Sequence, residues 1–307
     1  MSFCSFPRAL RVGFYTYPEW AFGSIHHALC KELYKKGILA NIIDWNYAFS
    51  DEERVNIGKI YDVFVTVPGN AVSLLTDLFK VPEEKIIAVA HGRYDIEYGI
   101  RERNRFDLLR GLAGVSPDLA KHSLRLGIKR KMEIVRNGVH FDYFYQPVSN
   151  SMKTVGYGGA YRYQNFSKTE DIKRGYLAQQ IANRSNLPFH PAPKQTFLSM
   201  PSYYSSVDCV IVSSTQESCA LPLMEASASG RLPISTCVGV ARDCEGYPGI
   251  VLPFEEKVFV EKGIREVLNL VESPKTHTSL CKTAQDYARE AFDWGNVIDD
   301  WVKLLEI

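Results

Sequence analysis

Paired cysteines are missing from this chain. Its seven cysteines (4, 30, 209, 219, 237, 244 and 281) are odd in number, scattered, and never spaced C-x-x-C. That excludes a regular disulfide framework or a zinc ribbon and predicts a reducing compartment. Long apolar runs are missing as well, since none approaches the roughly 18 residues that a membrane span needs. The opening Met1-Ser-Phe-Cys-Ser-Phe-Pro7 lacks the charged-then-apolar layout of a secretory signal. The expectation is a cytoplasmic protein, with peripheral attachment to a membrane left open. Net charge is nearly absent: 36 Lys+Arg against 35 Asp+Glu leave +1, too little for a global field that gathers nucleic acid or acidic lipid. No G-x-G-x-x-G follows the first apolar strand, and Gly156, Gly158 and Gly159 are wrongly spaced for it. A plain dinucleotide oxidoreductase is therefore disfavoured. No D-x-D occurs either; Asp95-Ile-Glu97 comes nearest and reads as a surface turn, so no metal site is expected.

What is present is ordinary globular material in sufficient quantity. At 307 residues, with 46% apolar and 23% charged, the chain has length for about two domains and two cores. Strand and helix signals alternate from residue 10 to 147. Leu10 to Tyr15 reads as a strand, His27 to Lys36 as a helix stopped by Gly37, and Ile38 to Ile43 as a second strand. Val63 to Val67 and Lys85 to Ala90 read as further strands. That βαβ rhythm predicts a parallel sheet with helices on both faces. Gln146 to Asn150 is the expected linker, and the rhythm restarts at Thr154 and continues to about Pro253. In the tail, Phe292, Trp294, Val297, Ile298, Trp301, Leu304 and Leu305 recur in steps of three and four, the mark of an amphipathic helix.

The most informative stretch lies between Val207 and Gly230. Val207-Asp-Cys-Val-Ile-Val-Ser213 suits a buried parallel strand. Pro222 suits a first helical turn and Gly230 a helix stop. This order puts Glu217 in the loop at the strand's carboxyl end and Glu225 in the opening turn of the following helix. Ligands of open α/β sheets bind in that crevice. The backbone N–H groups of Ser218, Cys219, Ala220 and Leu221 are expected to face phosphate oxygens there. A carboxylate accepts from vicinal hydroxyls, so one glutamate suits a ribose and the other a sugar. A nucleotide-sugar supplies phosphate, ribose and sugar together.

Glu217-Ser-Cys-Ala-Leu-Pro-Leu-Met-Glu225 resembles the E-x7-E signature of retaining glycosyltransferases of the GT-B fold, especially glycosyltransferase family 4. Two further blocks carry the resemblance in the same order. Ile134-Val-Arg-Asn-Gly-Val-His-Phe-Asp-Tyr-Phe-Tyr-Gln-Pro147 looks like the segment that closes the family's N-terminal domain. Val155-Gly-Tyr-Gly-Gly-Ala160 through Asp171-Ile-Lys-Arg-Gly175 looks like the opening strand and basic loop of its second. The resemblance implies two Rossmann-like domains with parallel sheets facing a central cleft. Residues 1–147 would take the acceptor and residues 148–289 the nucleotide-sugar. A C-terminal helix over 290–307 would cross back to the first domain.

It also implies roles. Glu217 would sit beside the donor sugar and Glu225 on the ribose. Lys173 or Arg174 would hold the phosphates, Lys173 matching by chemistry and Arg174 by adjacency to Gly175. Arg162 would be a second basic contact and Lys168 a spare. His91, after a strand and before Gly92, would bind a sugar hydroxyl. Gly23 and Ser24 would form a loop after the first strand that lets backbone approach the diphosphate or acceptor. The implied activity is metal-independent and cofactor-free transfer, with retention, to a glycan, glycolipid or glycoprotein hydroxyl. Ser218 stands where the family commonly has glycine.

Asn137-Gly138 reads as a tight turn in which glycine supplies positive φ. Tyr203 and Tyr204 read as core. From Arg101 to Arg136, ten Lys/Arg stand against four acids. That run suits solvated helix faces, or a surface for an anionic, lipid-linked acceptor. No stable nucleic-acid partner is expected, although a transferase acting on nucleic-acid bases and a binding protein with a decayed site are the rival readings.

Overall fold

The structure, a computed structural model, describes residues 8–161, 170–192 and 197–307. Contacts divide the chain into two units, one running to Arg136 and taking in Ile298–Ile307, the other Asn137–Val297. The division comes earlier than the expected linker because Phe141 and Phe144 are core of the second unit. Phe141 and Phe144 are buried with Tyr204, Leu223 and Met224.

The first unit has six strands: β1 (Arg11–Thr16), β2 (Leu39–Asp44), β3 (Val63–Thr66), β4 (Ile86–Ala90), β5 (Gly111–Gly114) and β6 (Glu133–Ile134). They form one sheet in the order β2-β1-β3-β4-β5-β6, every pair parallel. β3 and β4 are buried at every position, as a sheet covered on both faces requires. The chain's end completes this unit. Trp301 is fully buried and its indole N–H donates to the Arg136 carbonyl at 2.9 Å. Arg110 donates to the Leu305 carbonyl at 3.2 Å. The tail is a helix, Trp294–Leu305, that holds six of the seven apolar positions read from the periodicity; the seventh, Phe292, caps the preceding helix, and all seven are buried.

The second unit has β7 (Val155–Tyr157), β8 (Phe189–Pro191), β9 (Cys209–Val212), β10 (Leu232–Thr236) and β11 (Ile250–Leu252), in the order β11-β10-β9-β7-β8, again all parallel. The chain order reverses between β7 and β9, so this sheet's switch point lies at their carboxyl ends.

Two glycines behave otherwise than the sequence suggests. Gly138 does not take positive φ. A Cβ there would meet the Trp294 ring at 2.6 Å, so the position is glycine because an indole packs on it. Gly23 and Ser24 do not form a loop: the helix Trp20–Lys35 already contains both. Gly23 N–H donates to the Glu19 carbonyl at 2.9 Å, and a Cβ would come within 2.0 Å of the Pro18 carbonyl oxygen. Glycine is needed because the chain doubles back tightly as it leaves β1.

Candidate functional site

The ends of β7 and β9 organise the second unit's site. Ser213, just past β9, donates its hydroxyl to the carbonyls of Lys173 (3.1 Å) and Arg174 (2.8 Å). Tyr157, the last residue of β7, donates to the Lys173 carbonyl at 3.1 Å. The loop before the Gly175–Arg184 helix is thereby fixed over the switch point. Asp171 caps it from beneath, its Oδ1 accepting from the backbone N–H of Lys173 at 3.1 Å.

Within that loop Lys173 and Arg174 part company. Arg174 takes a left-handed backbone (φ 50°, ψ 39°) as the residue capping the helix. Its side chain turns inward, leaving the residue only 6% exposed. Nε donates to the Ser213 carbonyl and Nη1 to the Phe254 carbonyl, both at 2.8 Å. Nη2 is buried with no acceptor among the described residues, a donor still to be satisfied. The Lys173 ammonium points instead at Glu217, with Nζ 2.5 Å from Oε1. Ser214 donates to the same oxygen at 2.8 Å. A half-buried ion pair of this kind keeps both charges ordered at the strand ends.

Glu225 lies in the Leu221–Ala228 helix. It is 9% exposed and accepts from the Tyr204 hydroxyl at 2.7 Å. Burial pushes its carboxyl up to about 7, and the Tyr204 bond opposes that only in part. Ala220, capping this helix, is also left-handed (φ 60°, ψ 60°), and Pro222 stands in the first turn. The loop is tied down by Gly239 and Val240, whose N–H groups donate to the carbonyls of Glu217 (3.3 Å) and Cys219 (3.1 Å). A Cβ on Gly239 would meet the Cys219 carbonyl oxygen at 2.5 Å. In this helix's first turn Pro222 has no N–H and Leu223 donates to the Ala220 carbonyl at 2.9 Å, which leaves the Leu221 N–H without an intrahelical acceptor by geometry. Burial drives the Cys219 thiol up to about 12, which removes it as a nucleophile. Ser218 is half-buried in the same loop. Arg162 and Lys168 lie outside the described residues.

In the first unit, His91 follows β4 at the carboxyl edge. Its backbone N–H and that of Gly92 both donate to Asp95 Oδ2, at 2.7 and 2.8 Å. Asp95 is therefore occupied as a helix cap. Glu97, two residues on, accepts from His122 at 2.9 Å. Among the described residues no cluster of His, Cys, Asp or Glu is arranged to hold a metal ion. The His91 ring packs against Phe22 (4.9 Å between centroids) and His26 (5.9 Å). Burial, then the neighbouring His26, lower His91 to about 3. Burial lowers His26 to about 4. Both rings are neutral at neutral pH. His26 Nδ1 carries the proton, because it lies 2.8 Å from the Phe22 carbonyl, which can only accept.

Three participants escaped the sequence reading: Ser214 on Glu217, Asp171 beneath the basic loop, and Tyr204 on Glu225. The run Ser213-Ser214-Thr215 directly after a β-branched strand was the available signal for the first. Tyr204, predicted as core, is core, and its hydroxyl reaches the site from there.

No protein-family model matches the chain, and a comparison with curated protein sequences finds no relative. Solved structures do resemble it. HepE from Anabaena, in complex with UDP and glucose, superposes with a TM-score of 0.68 at 11% identity, covering 97% of this chain and 99% of that one. The catalytic domain of starch synthase IV from Arabidopsis thaliana, bound to ADP and acarbose, gives 0.68 at 13% identity over 97% and 99%. Sucrose-phosphate synthase from Thermosynechococcus elongatus gives 0.67 at 12% identity over 97% and 98%. At such identities the likeness establishes the fold: two parallel-sheet α/β units in the GT-B arrangement.

Proposed function

We propose that the protein is a glycosyltransferase that moves a sugar, with retention, from a nucleotide-diphosphate donor to a hydroxyl acceptor without a resident metal. The observation that carries the reading is the Lys173–Glu217 pair, set at the strand ends of the second unit beside a helix N-terminus and Glu225. The fold shared with HepE, solved with UDP and glucose, supports it.

In this reading the Lys173 ammonium has three donors and shares them between Glu217 and the donor's diphosphate. Arg174 Nη2 and the Leu221 N–H meet the remaining phosphate oxygens. Charge that develops on the leaving diphosphate is thus stabilised by groups already in place. Glu225 accepts from the ribose hydroxyls. Glu217 orients Lys173 and accepts from a hydroxyl of the donor sugar. In the first unit, neutral His91 is an acceptor for a sugar hydroxyl bound there. The anomeric carbon's bond to the phosphate oxygen breaks as its bond to the acceptor oxygen forms on the same face. The acceptor's proton passes to the departing phosphate oxygen. The first unit takes the acceptor, a glycan or glycolipid hydroxyl.

Thermal stability against UDP-, GDP-, ADP-, CMP- and dTDP-sugars with EDTA present tests this, alongside release of free nucleotide. A specific ligand raises apparent stability in proportion to the logarithm of its saturation. One donor should raise it, and Glu217→Gln should abolish nucleotide release. No shift with any donor refutes the nucleotide-sugar site, and a shift that appears only with added divalent ion refutes metal independence. An inverted anomer in the product, read by proton NMR, refutes retention.

A further inference from the structure

Exposed apolar side chains of the first unit gather where its helices run out. Tyr34, Ile60, Ile100 and Leu124 occupy one of the last two positions of Trp20–Lys35, Asp51–Ile60, Arg93–Arg101 and Pro117–Arg125, and Leu78 directly follows Asn70–Asp77. In an all-parallel sheet the crossover helices run back against the strands, so helix C-termini and strand N-termini share one edge. All five therefore lie along the amino edge, opposite His91. Leu124 is 66% exposed. Leu108 and Leu126, also exposed, lie in the connections that enter β5 and β6. Arg130 ties these connections together, donating to the carbonyls of Asp107 (3.2 Å) and Arg110 (2.5 Å).

The end of this edge beside β5 and β6 is basic, whereas Asp62, Glu83 and Glu84 lie in the connections toward β3 and β4 and Asp77 ends the helix before β4. No acid occurs from Leu119 to Met132, a stretch that holds Lys121, Arg125, Lys129, Arg130 and Lys131. Lys121, Arg125 and Lys129 are exposed and make no ion pair among the described residues. Cations at a helix C-terminus complement its dipole, which accounts for Arg125 but not for Lys129 beyond the helix end. Single exposed leucines are ordinary; seven large apolar side chains aligned on one edge beside an acid-free basic run are not. Nucleic acid would use the cations and leave the leucines idle. A second copy of the chain would bring like charges together. A bilayer uses both, with leucines at the acyl boundary and cations on lipid phosphates.

We propose that the amino edge of the first unit's sheet is a docking surface for an anionic lipid bilayer. The carboxyl edge, with His91, then faces away from the membrane. The inference stands independently of the donor site, and its assay contains no nucleotide-sugar.

The test is co-sedimentation of the full chain with phosphatidylcholine vesicles, with and without phosphatidylglycerol. Binding is expected only when phosphatidylglycerol is present. R125E with K129E should weaken it by at least an order of magnitude, since each cation near an anionic surface is worth about fivefold. L124S with L126S should weaken it too while leaving the thermal transition in place. Y47S, at an exposed tyrosine beyond the carboxyl end of β2, should bind as the parent does. The proposal is overturned if phosphatidylglycerol vesicles sediment no protein, or if Y47S loses binding as the leucine pair does. Binding to duplex DNA that the cation pair abolishes and the leucine pair spares, without vesicle binding, makes the edge a nucleic-acid surface instead. A dimer by light scattering that the leucine pair dissolves, again without vesicle binding, makes it a self-association face.

Discussion

Glu225→Gln should stabilise the second unit at alkaline pH while destroying its affinity for nucleotide. Glu225 is buried, and its carboxyl is raised from 4.5 to about 7 by that burial. A raised acid favours the folded state in its neutral form. Its contribution is complete below the unfolded value of about 4.5 and is lost as pH climbs through the folded value of about 7. A carboxyl raised from 4.5 to about 7 loses about 3 to 4 kcal/mol in full, most of it between pH 5 and pH 8. Glutamine cannot titrate, yet its carbonyl still accepts the Tyr204 hydroxyl that now lies 2.7 Å from Oε2. Urea unfolding of parent and variant at about pH 5 and pH 8 checks the reasoning. The variant should gain up to about 3 kcal/mol on the parent between those conditions. Donor binding should run the other way. An ionised carboxylate takes two ribose hydroxyls, so affinity in the parent should rise through pH 7 and stay low in the variant throughout. Parallel stability profiles for the two proteins would refute the argument, because they would mean that Glu225 is not ionising against burial.

Arg174→Lys should lower the stability of the second unit by about 2 kcal/mol, because two carbonyls would lose a charged donor; Lys173→Ala should move stability by less than about 1 kcal/mol and abolish the thermal shift with donor. Urea unfolding and the donor panel separate the two roles. Gly23→Ala should destabilise the first unit by about 2 to 3 kcal/mol, since its Cβ has no space beside the Pro18 carbonyl, as read by the unfolding midpoint. Trp301→Ala should cost about 3 to 5 kcal/mol in the same assay and loosen hydrogen exchange across β5 and β6, because the indole is fully buried and holds the Arg136 carbonyl.

Much of the fold was legible because parallel sheets announce themselves in continuous β-branched runs. Ile86–Ala90 and Cys209–Val212 are buried at every position, and both were readable from composition alone. The tail helix was readable for the complementary reason: its six apolar positions from Trp294 to Leu305 recur at helical spacing and all are buried. What misled was glycine. Gly23 suggested a loop and Gly138 a left-handed turn, since glycine serves both uses. In fact both sit where another group leaves no room for a Cβ, a Pro18 carbonyl in one case and the Trp294 ring in the other. The Trp294 contact comes from a segment distant in the chain and leaves no local pattern, whereas the Pro18 contact lies five residues from Gly23 and arises from the tight turn out of β1.

The site divides in the same way. Glu217 and Glu225 were placed by the strand–loop–helix order around them, which is local information. The choice between Lys173 and Arg174 was not local. Both are basic, adjacent and followed by the same glycine, and the sequence left their register open. Their difference arises from Ser213 and Phe254, whose carbonyls draw the arginine inward, and from Ser214 and Glu217, which hold the lysine at the strand ends. Residues some 40 to 80 positions away in the chain therefore decide where each cation is held. The left-handed backbone at Arg174 follows from the same packing. It is tolerated because the guanidinium's bonds to two carbonyls outweigh the roughly 1 to 2 kcal/mol that such a conformation costs. A glycine in that position would relieve the backbone but lose the bonds to the Ser213 and Phe254 carbonyls. Ser213, Tyr157 and Asp171 would still hold the loop through its backbone, so the arginine's own part is to place its guanidinium.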